Sequence, residues 1–445
     1  MVTSWEARSG HLAITRDPRG LPVPHGRGGL FYFRRWRKAT NGSETTLDAR
    51  LALPRGARDI LPTEARELHA IRRSLLEAFR SYGYAPLEPP TLEVARGDGS
   101  VDERRVLRFL DRDGSLLALR PDLTTAVARV VAQRYRDAGV ALRLSYIATV
   151  FRQEHSMRGS EREYDQAGVE LIGTAGDGRS SSLADAELVA LLCDALWRCG
   201  LSSAQIDIGH AGFLEGFLDE ADAESRKIAL ARARAGDLVG LVDVARTGGL
   251  ADPRVGRLRE ALRYRGPIEA WPSNALPERS ARALEELAAL SRLLSHAELP
   301  LPVRYDLGLI APFGYYTGAI VQATAGGLGL PIASGGRYDG LLARFGADRP
   351  ATGFAITVPL LHQAIVAEGW RVDDRSPLVT LEGGSPGDVL RAASALRRAG
   401  LDVAIGAVAD SAGRSTIALR VIDGERVERD GRVLLVEAIA ASLST

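Results

Sequence analysis

The sequence predicts an α+β protein: an antiparallel sheet with flanking helices, a helical insertion and a small C-terminal α/β module. Three observations carry that reading. Ser145 to Phe151 and Tyr164 to Ile172 are rich in β-branched and aromatic residues and enclose a polar, Gly-containing loop at Gln153 to Ser160, which is the pattern of paired antiparallel strands. From about residue 212 to 300 the apolar residues fall at helical spacing, ending in the face Leu284, Leu287, Leu290, Leu293 and Leu294. Strand-like runs resume at Val303 to Leu307 and Ala319 to Ala323, so these helices interrupt a β-rich region rather than follow it.

The composition fits an ordinary globular chain. At 445 residues the length predicts about three domains, and 45% apolar with 25% charged residues is typical of soluble proteins. No apolar run approaches the roughly 18 residues of a membrane span, and no short apolar segment with a small-residue cleavage site marks secretion. The expected location is the cytoplasm, without membrane contact. Cys193 and Cys199 lie in one helical stretch at a spacing that suits neither a disulfide framework nor paired metal ligands, so they are expected to be core thiols, with no metal and no cofactor. Residues 1 to 50 hold nine basic and four acidic residues, which leaves 48 basic against 52 acidic in the remaining 395. The body of the chain therefore lacks the basic surplus that announces a nucleic-acid binder.

The elements follow in order. Residues 1 to 50 carry turn residues (Pro18, Gly20, Pro22, Pro24) without sustained periodicity and are expected to form a disordered tail, despite the basic-aromatic run Phe31 to Lys38. Order is expected from 51 onward, with a core over 51–370. Leu68, Ile71, Leu75, Leu76, Phe79 and Tyr82 predict one amphipathic helix starting after Thr63 as cap and ending at Gly83. Tyr84 to Glu93 is extended, because each Pro pushes its predecessor out of the α region. Arg105 to Leu119 predicts a hairpin turning at Arg112-Asp113-Gly114. Another helix begins near Leu123, with Asp122 as its N-cap in the plainest reading. A helix over Leu183 to Trp197 and a strand over Gln205 to His210 come next, and His210 is expected to donate a hydrogen bond that supports the following loop. After a polar linker at Asp373 to Pro377, residues 377–445 predict a strand-helix-strand module, with strands at Leu378 to Leu381, Val403 to Ile405, Thr416 to Ile422 and Val433 to Glu437.

One face of the second strand carries candidate chemistry. Side chains alternate along a strand, so Gln166, Gly168 and Glu170 point the same way, beside Arg152 from the partner strand. A carboxylate accepts from an ammonium, a guanidinium pairs with a carboxylate, and a Gly permits close approach. On these residues alone, a hairpin with one solvated face is the simpler reading. Further on, Tyr315 and Tyr316 can wall a planar imidazole and offer hydroxyls to its nitrogens.

Longer motifs shift the balance. Phe151-Arg152, the charged loop and Arg162 to Gly173 resemble motif 2 of histidyl-tRNA synthetases. The segment resembles still more closely their non-aminoacylating relatives, the regulatory subunits of ATP phosphoribosyltransferase. Arg120-Pro121-Asp122 with Thr124 fits those relatives, since synthetases carry Glu in place of Asp. Tyr315-Tyr316-Thr317-Gly318 followed by Gly335-Gly336-Arg337-Tyr338-Asp339 resembles the histidine-specific signature of both groups. The resemblance covers about residues 55 to 360 and implies a class II aminoacyl-tRNA synthetase-like fold. It also implies a histidine site made by Asp122, Thr124, Arg152, Gln166, Glu170, Tyr315 and Tyr316, with no catalytic residue.

Departures from the synthetase pattern are specific. Ala311, Pro312, Phe313 and Gly314 stand where synthetases have Arg-Gly-Leu-Asp. Thr357, Val358, Pro359 and Leu360 replace the end of motif 3, whose last residue is an Arg that grips ATP. Ser160 stands where a synthetase usually has another Arg. Three cations that would stabilise a departing pyrophosphate are thus neutral, and such stabilisation is usually a large catalytic contribution. The C-terminal module, roughly 70 residues, is shorter than a synthetase's anticodon-binding domain. The resemblance therefore implies a non-catalytic regulatory subunit of ATP phosphoribosyltransferase. Such a subunit forms a hetero-oligomer with the short-form catalytic subunit, self-associates as a dimer through its core, takes L-histidine as effector and does not use tRNA. The alternatives are an active histidyl-tRNA synthetase, or a stand-alone amino-acid or RNA sensor.

Overall fold

The computed structural model describes residues 51–95, 105–136, 138–153, 161–173, 178–311, 313–372, 377–408 and 415–443. The expected tail, the Phe31 to Lys38 run, Ser160 and Pro312 lie outside the described residues. Pro54–Thr445 forms one compact unit.

Its first half contains helix α1 (Pro62–Ser81), strands β1 (Ala85–Pro86), β2 (Leu92–Val94), β3 (Arg108–Leu110) and β4 (Leu116–Leu119), helix α2 (Thr124–Arg134), strands β5 (Leu142–Phe151) and β6 (Glu163–Ile172), and helix α3 (Gly178–Arg198). Strand β7 (Gln205–His210) leads into helices α4 (Ala211–Leu218), α5 (Ala223–Arg234), α6 (Leu238–Thr247) and α7 (Asp252–Ala261), the short strand β8 (Arg265–Gly266) and helix α8 (Glu278–Leu294). Strands β9 (Val303–Asp306), β10 (Ala319–Thr324), β11 (Ala333–Arg337) and β12 (Ala351–Thr357) and helix α9 (Val358–Ala367) follow.

These strands form a sheet ordered β1-β5-β6-β12-β11-β10-β7-β9-β8. It is largely antiparallel, but β1 with β5 and β7 with β9 run parallel, so the sheet is mixed rather than purely antiparallel. Between β7 and β9 the chain spends its length on the helical insertion, a crossover of the kind that parallel neighbours require. The hairpin predicted at Arg112 to Gly114 belongs to a separate sheet, β2-β4-β3, with Gly114 at φ +84° supplying the left-handed turn residue.

Alternation along β6 sorts the two faces. Ala167, Val169 and Leu171 are buried in the main core, under α1, α3 and α9. Gln166, Gly168, Glu170 and Ile172 point to the opposite face. There Ile172 joins a second core made by Leu123, Val127 and Val131 of the α2 region, Leu144, Tyr146 and Val150 of β5, and Tyr315, Tyr338, Leu341 and Leu342. A strand with apolar odd positions and mixed even positions thus separates a packing layer from a layer with chemistry.

Several local expectations are corrected. The first helix starts at Pro62 with Leu61 as its uncapped N-cap, so Thr63 lies inside the first turn. Proline serves there because its missing N–H is an orphan anyway. Leu76 on that helix is 42% exposed rather than core. His210 is the N-cap of α4: its Nδ1 accepts from Gly212 N–H at 3.1 Å, while Nε2 faces Glu286 at 2.9 Å, so it supports its loop as an acceptor. Cys193 and Cys199 are buried free thiols, pushed by burial up to about 12.

The C-terminal sheet is ordered β14-β13-β15-β16-β17, from β13 (Leu378–Glu382), β14 (Val403–Ile405), β15 (Thr416–Val421), β16 (Arg426–Arg429) and β17 (Arg432–Leu435). Helix α10 (Pro386–Arg398) and helix α11 (Val436–Leu443) complete its core. The expected strand Val433 to Glu437 is therefore a strand only to Leu435, and β16 and α11 were not anticipated. Arg426 to Arg429 alternates charged and apolar residues too briefly to stand out from a loop.

Candidate functional site

The second core is organised around a carboxylate. Glu170, on β6, is 1% exposed. Its Oε1 accepts from Thr124 Oγ1 at 2.8 Å and from the Tyr146 hydroxyl at 3.2 Å, and its Oε2 accepts from the Tyr338 hydroxyl. The donors come from α2, β5 and the loop after β11, so three separate chain segments converge on one acceptor. Among the described residues no Arg, Lys or His lies within ion-pair distance of it. Burial pushes the Glu170 carboxyl up to about 7, against the opposing pull of its three hydroxyl donors. A buried carboxylate satisfied by hydroxyls but lacking a cation is poised to accept a cationic or N–H-rich ligand, because that ligand would supply the missing charge.

Two glycines make this arrangement possible. The Tyr146 ring passes over Gly168, its partner across the β5/β6 ladder, and a Cβ there would lie 2.6 Å from Tyr146 Cζ. A Cβ on Gly353 of β12, opposite Glu170, would land on the carboxylate itself. The close approach that Gly168 permits is therefore made by a side chain of the protein itself.

The tyrosine pair flanks the same space from the segment before β10. Tyr315 stacks on Phe313 with ring centroids 5.3 Å apart and planes at 9°, lies 4.9 Å from the Tyr316 ring and meets Tyr338 edge-on at 5.9 Å. Burial, and beyond it the nearby carboxylates of Asp122 and Glu170, hold both Tyr315 and Tyr316 protonated, well above the ordinary range of a phenol. Both can therefore donate at neutral pH.

Backbone bonds clip this segment to the Gly-rich strand. Thr317 N–H donates to Arg337 O at 2.8 Å, and Asp339 N–H donates to Thr317 Oγ1 at 3.0 Å. Arg337 in turn makes a two-pronged ion pair with Asp185 of α3, Nη2 to Oδ1 at 2.8 Å and Nε to Oδ2 at 3.1 Å. The tyrosine segment, the Gly-Gly-Arg-Tyr-Asp stretch and α3 are thus fastened into one unit.

Of the seven residues proposed from sequence, five come together: Asp122, Thr124, Glu170, Tyr315 and Tyr316. Asp122 is buried, and its Oδ1 accepts from Thr125 N–H at 2.9 Å and Thr125 Oγ1 at 2.7 Å. The N-cap residue of α2 is Leu123 rather than the expected Asp122; Asp122, one position earlier, still holds Thr125 of the first turn while its charge faces Glu170 and the tyrosines. Arg152 lies beside Asp122 in the chain fold, with Nε donating to Pro121 O at 2.8 Å and its guanidinium 5.7 Å above the Tyr164 ring centre. Gln166 is buried on the same face of β6 as Glu170, between Ala148 and Thr357, and makes no hydrogen bond to the other six. Tyr146 and Tyr338 were missed. Tyr338 sits inside a motif already recognised, and the strand alternation that places Gly168 on the site face places Tyr146 opposite it. At the departures from the synthetase pattern, Ala311 and Leu360 are both half-buried, and Leu360 packs against the main core.

The mixed sheet with this tyrosine-walled carboxylate defines a protein of the histidyl-tRNA synthetase type. The family model described as histidyl-tRNA synthetase matches residues 56–361. Similar proteins include the ATP phosphoribosyltransferase regulatory subunit of Symbiobacterium thermophilum, 36% identical over 72% of this chain and 81% of the relative. That of Rubrobacter xylanophilus is 38% identical over 78% of this chain and 83% of the relative. Among solved structures, an ATP phosphoribosyltransferase regulatory subunit/histidyl-tRNA synthetase from Bacillus halodurans superposes with TM-score 0.71 at 30% identity, covering 83% of this chain and 98% of the other. A histidyl-tRNA synthetase from Nostoc superposes with the same TM-score at 20% identity, over 88% and 98%, which speaks to the fold alone. The chain belongs to the histidyl-tRNA synthetase family, among the ATP phosphoribosyltransferase regulatory subunits.

Among the described residues no helix is long and apolar enough to cross a membrane, and no cluster of three or more His, Cys, Asp or Glu residues could hold a metal ion.

Proposed function

We propose that the protein is the non-catalytic regulatory subunit of an ATP phosphoribosyltransferase, acting at the first step of L-histidine biosynthesis and mediating feedback by histidine. The observation that carries this is the Glu170 carboxylate, buried among hydroxyls without a cation among the described residues, close to Tyr315 and Tyr316. Histidine fits that chemistry. Its imidazole N–H can donate to Glu170, its second ring nitrogen can accept from a phenol, and Asp122 is positioned for its ammonium. In this reading Arg152 and Gln166 serve its carboxylate.

The names of the relatives support a catalytic partner subunit. In this reading the partner is the short form, the two chains form a hetero-oligomer, and this chain self-associates as a dimer through the 51–370 core. The 377–445 module is an accessory domain. Aminoacylation is lost in this reading because Ala311 and Leu360 put no positive charge where a pyrophosphate would leave. Regulation requires histidine to favour one state of the complex, with a coupling of roughly 1 to 3 kcal/mol typical of such systems.

The test is co-purification with the short catalytic subunit, followed by phosphoribosyl transfer assays with and without histidine. This chain is expected to raise the partner's activity, and histidine to lower it. Failure of the two chains to associate would remove the proposal.

A further inference from the structure

The helical insertion delivers a guanidinium to the edge of the tyrosine segment. Arg234 is the last residue of α5 and is exposed. Its guanidinium lies close to Gly314, the residue before Tyr315: a Cβ built on Gly314 would stand 3.3 Å from Nη2, 3.7 Å from Cζ and 3.9 Å from Nη1. The other arginines of α5 are neutralised locally, Arg226 by Asp219 at 3.0 Å and Arg232 by Asp237 at 3.1 Å. Arg234 has no such carboxylate among the described residues, so its charge stands beside the tyrosine segment without an acidic partner there.

The site is acidic. Asp122 and Glu170 already place two carboxylates there, while Arg152 commits Nε to the Pro121 carbonyl. An α-amino acid brings its own carboxylate into this acidic environment, and a planar guanidinium is the side chain best shaped to take it in a two-pronged pair. Gly314, lacking a side chain, leaves the space in which that plane sits.

We infer that Arg234 joins Arg152 in binding the carboxylate of the amino-acid ligand, so that the ligand bridges the insertion to the synthetase-like core. The inference rests on the amino-acid reading of the pocket and adds to it a residue from a different part of the chain. Ligand binding would then order α5 against the tyrosine segment, which gives the insertion a part in transmitting the effector's presence.

The experiment is calorimetry on the full chain with two ligands: histidine, and histidinamide, which keeps the ammonium and imidazole but has no carboxylate. Arg234→Ala is expected to weaken histidine by about tenfold or more, the range of a lost charge-assisted pair, and to leave histidinamide within about twofold. Arg234→Lys should recover part of the loss, since it restores the charge without the fork. An ordinary role for Arg234 as a charge on the C-terminal end of α5 predicts no change for either ligand, and that result overturns the inference. So does an equal loss for both ligands, or discrimination that disappears in Arg152→Ala but survives in Arg234→Ala. If wild-type protein binds neither ligand, the amino-acid reading of the pocket has failed first.

Discussion

The Tyr146 hydroxyl reaches across Gly168 to donate to the Glu170 carboxylate at 3.2 Å. This bond ties β5 to β6 through side chains on the site face and orients the acceptor that the ligand would meet. Tyr146→Phe removes one of three donors from a buried acceptor without changing its shape much. It is expected to weaken histidine binding by about 1 kcal/mol, roughly fivefold by calorimetry. Gly168→Ala should cost more, because the added methyl must displace the ring. Unaltered affinity in both variants would place the ligand elsewhere.

Glu170 also makes stability depend on pH. Its folded-state value, about 7, lies above the ordinary carboxyl value of 4.5. The folded protein therefore holds a proton that the unfolded chain has released between those two values. The resulting stabilisation is fully present below about 4.5 and is lost as pH rises through about 7, with a size on the order of 3 kcal/mol. Glu170→Gln should flatten this part of the profile in denaturant titrations across pH 5 to 8. A profile with the same slope in wild type and variant would contradict the assignment.

Asp185 and Arg337 form a buried pair that fastens the Gly-rich strand to α3. Asp185→Ala leaves the Arg337 guanidinium buried with only Asp339 and the Ser181 carbonyl as partners. The expected cost is about 3 to 5 kcal/mol, measurable by urea unfolding. A loss under about 1 kcal/mol would mean that water or Asp339 compensates the charge.

Ala311 and Leu360 are apolar at the positions where the resemblance expects the guanidiniums of a synthetase. Purified protein is expected to show no histidine-dependent exchange of pyrophosphate into ATP. Exchange at ordinary synthetase rates would reverse the proposed non-catalytic role.

Much of this was legible in the chain alone. Period-two alternation in Tyr164 to Ile172 was enough to put Gln166, Gly168 and Glu170 on one face. The order of the Arg-Pro-Asp, motif 2, Tyr-Tyr-Thr-Gly and Gly-Gly-Arg-Tyr-Asp segments pointed to the family before any contact was known. These signals survive in sequence because they depend on local geometry: strand period, helix period, and glycines where a Cβ has no room. The tertiary structure decided what faces Glu170. Tyr146, Tyr338 and Thr124 lie 24, 168 and 46 residues away from it in the chain, and no local pattern encodes such meetings. It also decided that Gly168 accommodates Tyr146 of the protein itself, and that Arg234 from the insertion overlies Gly314. A side chain's type and local conformation follow from its neighbours in sequence, whereas its partners follow from how sheet and insertion close on each other, which is a property of the whole packed chain.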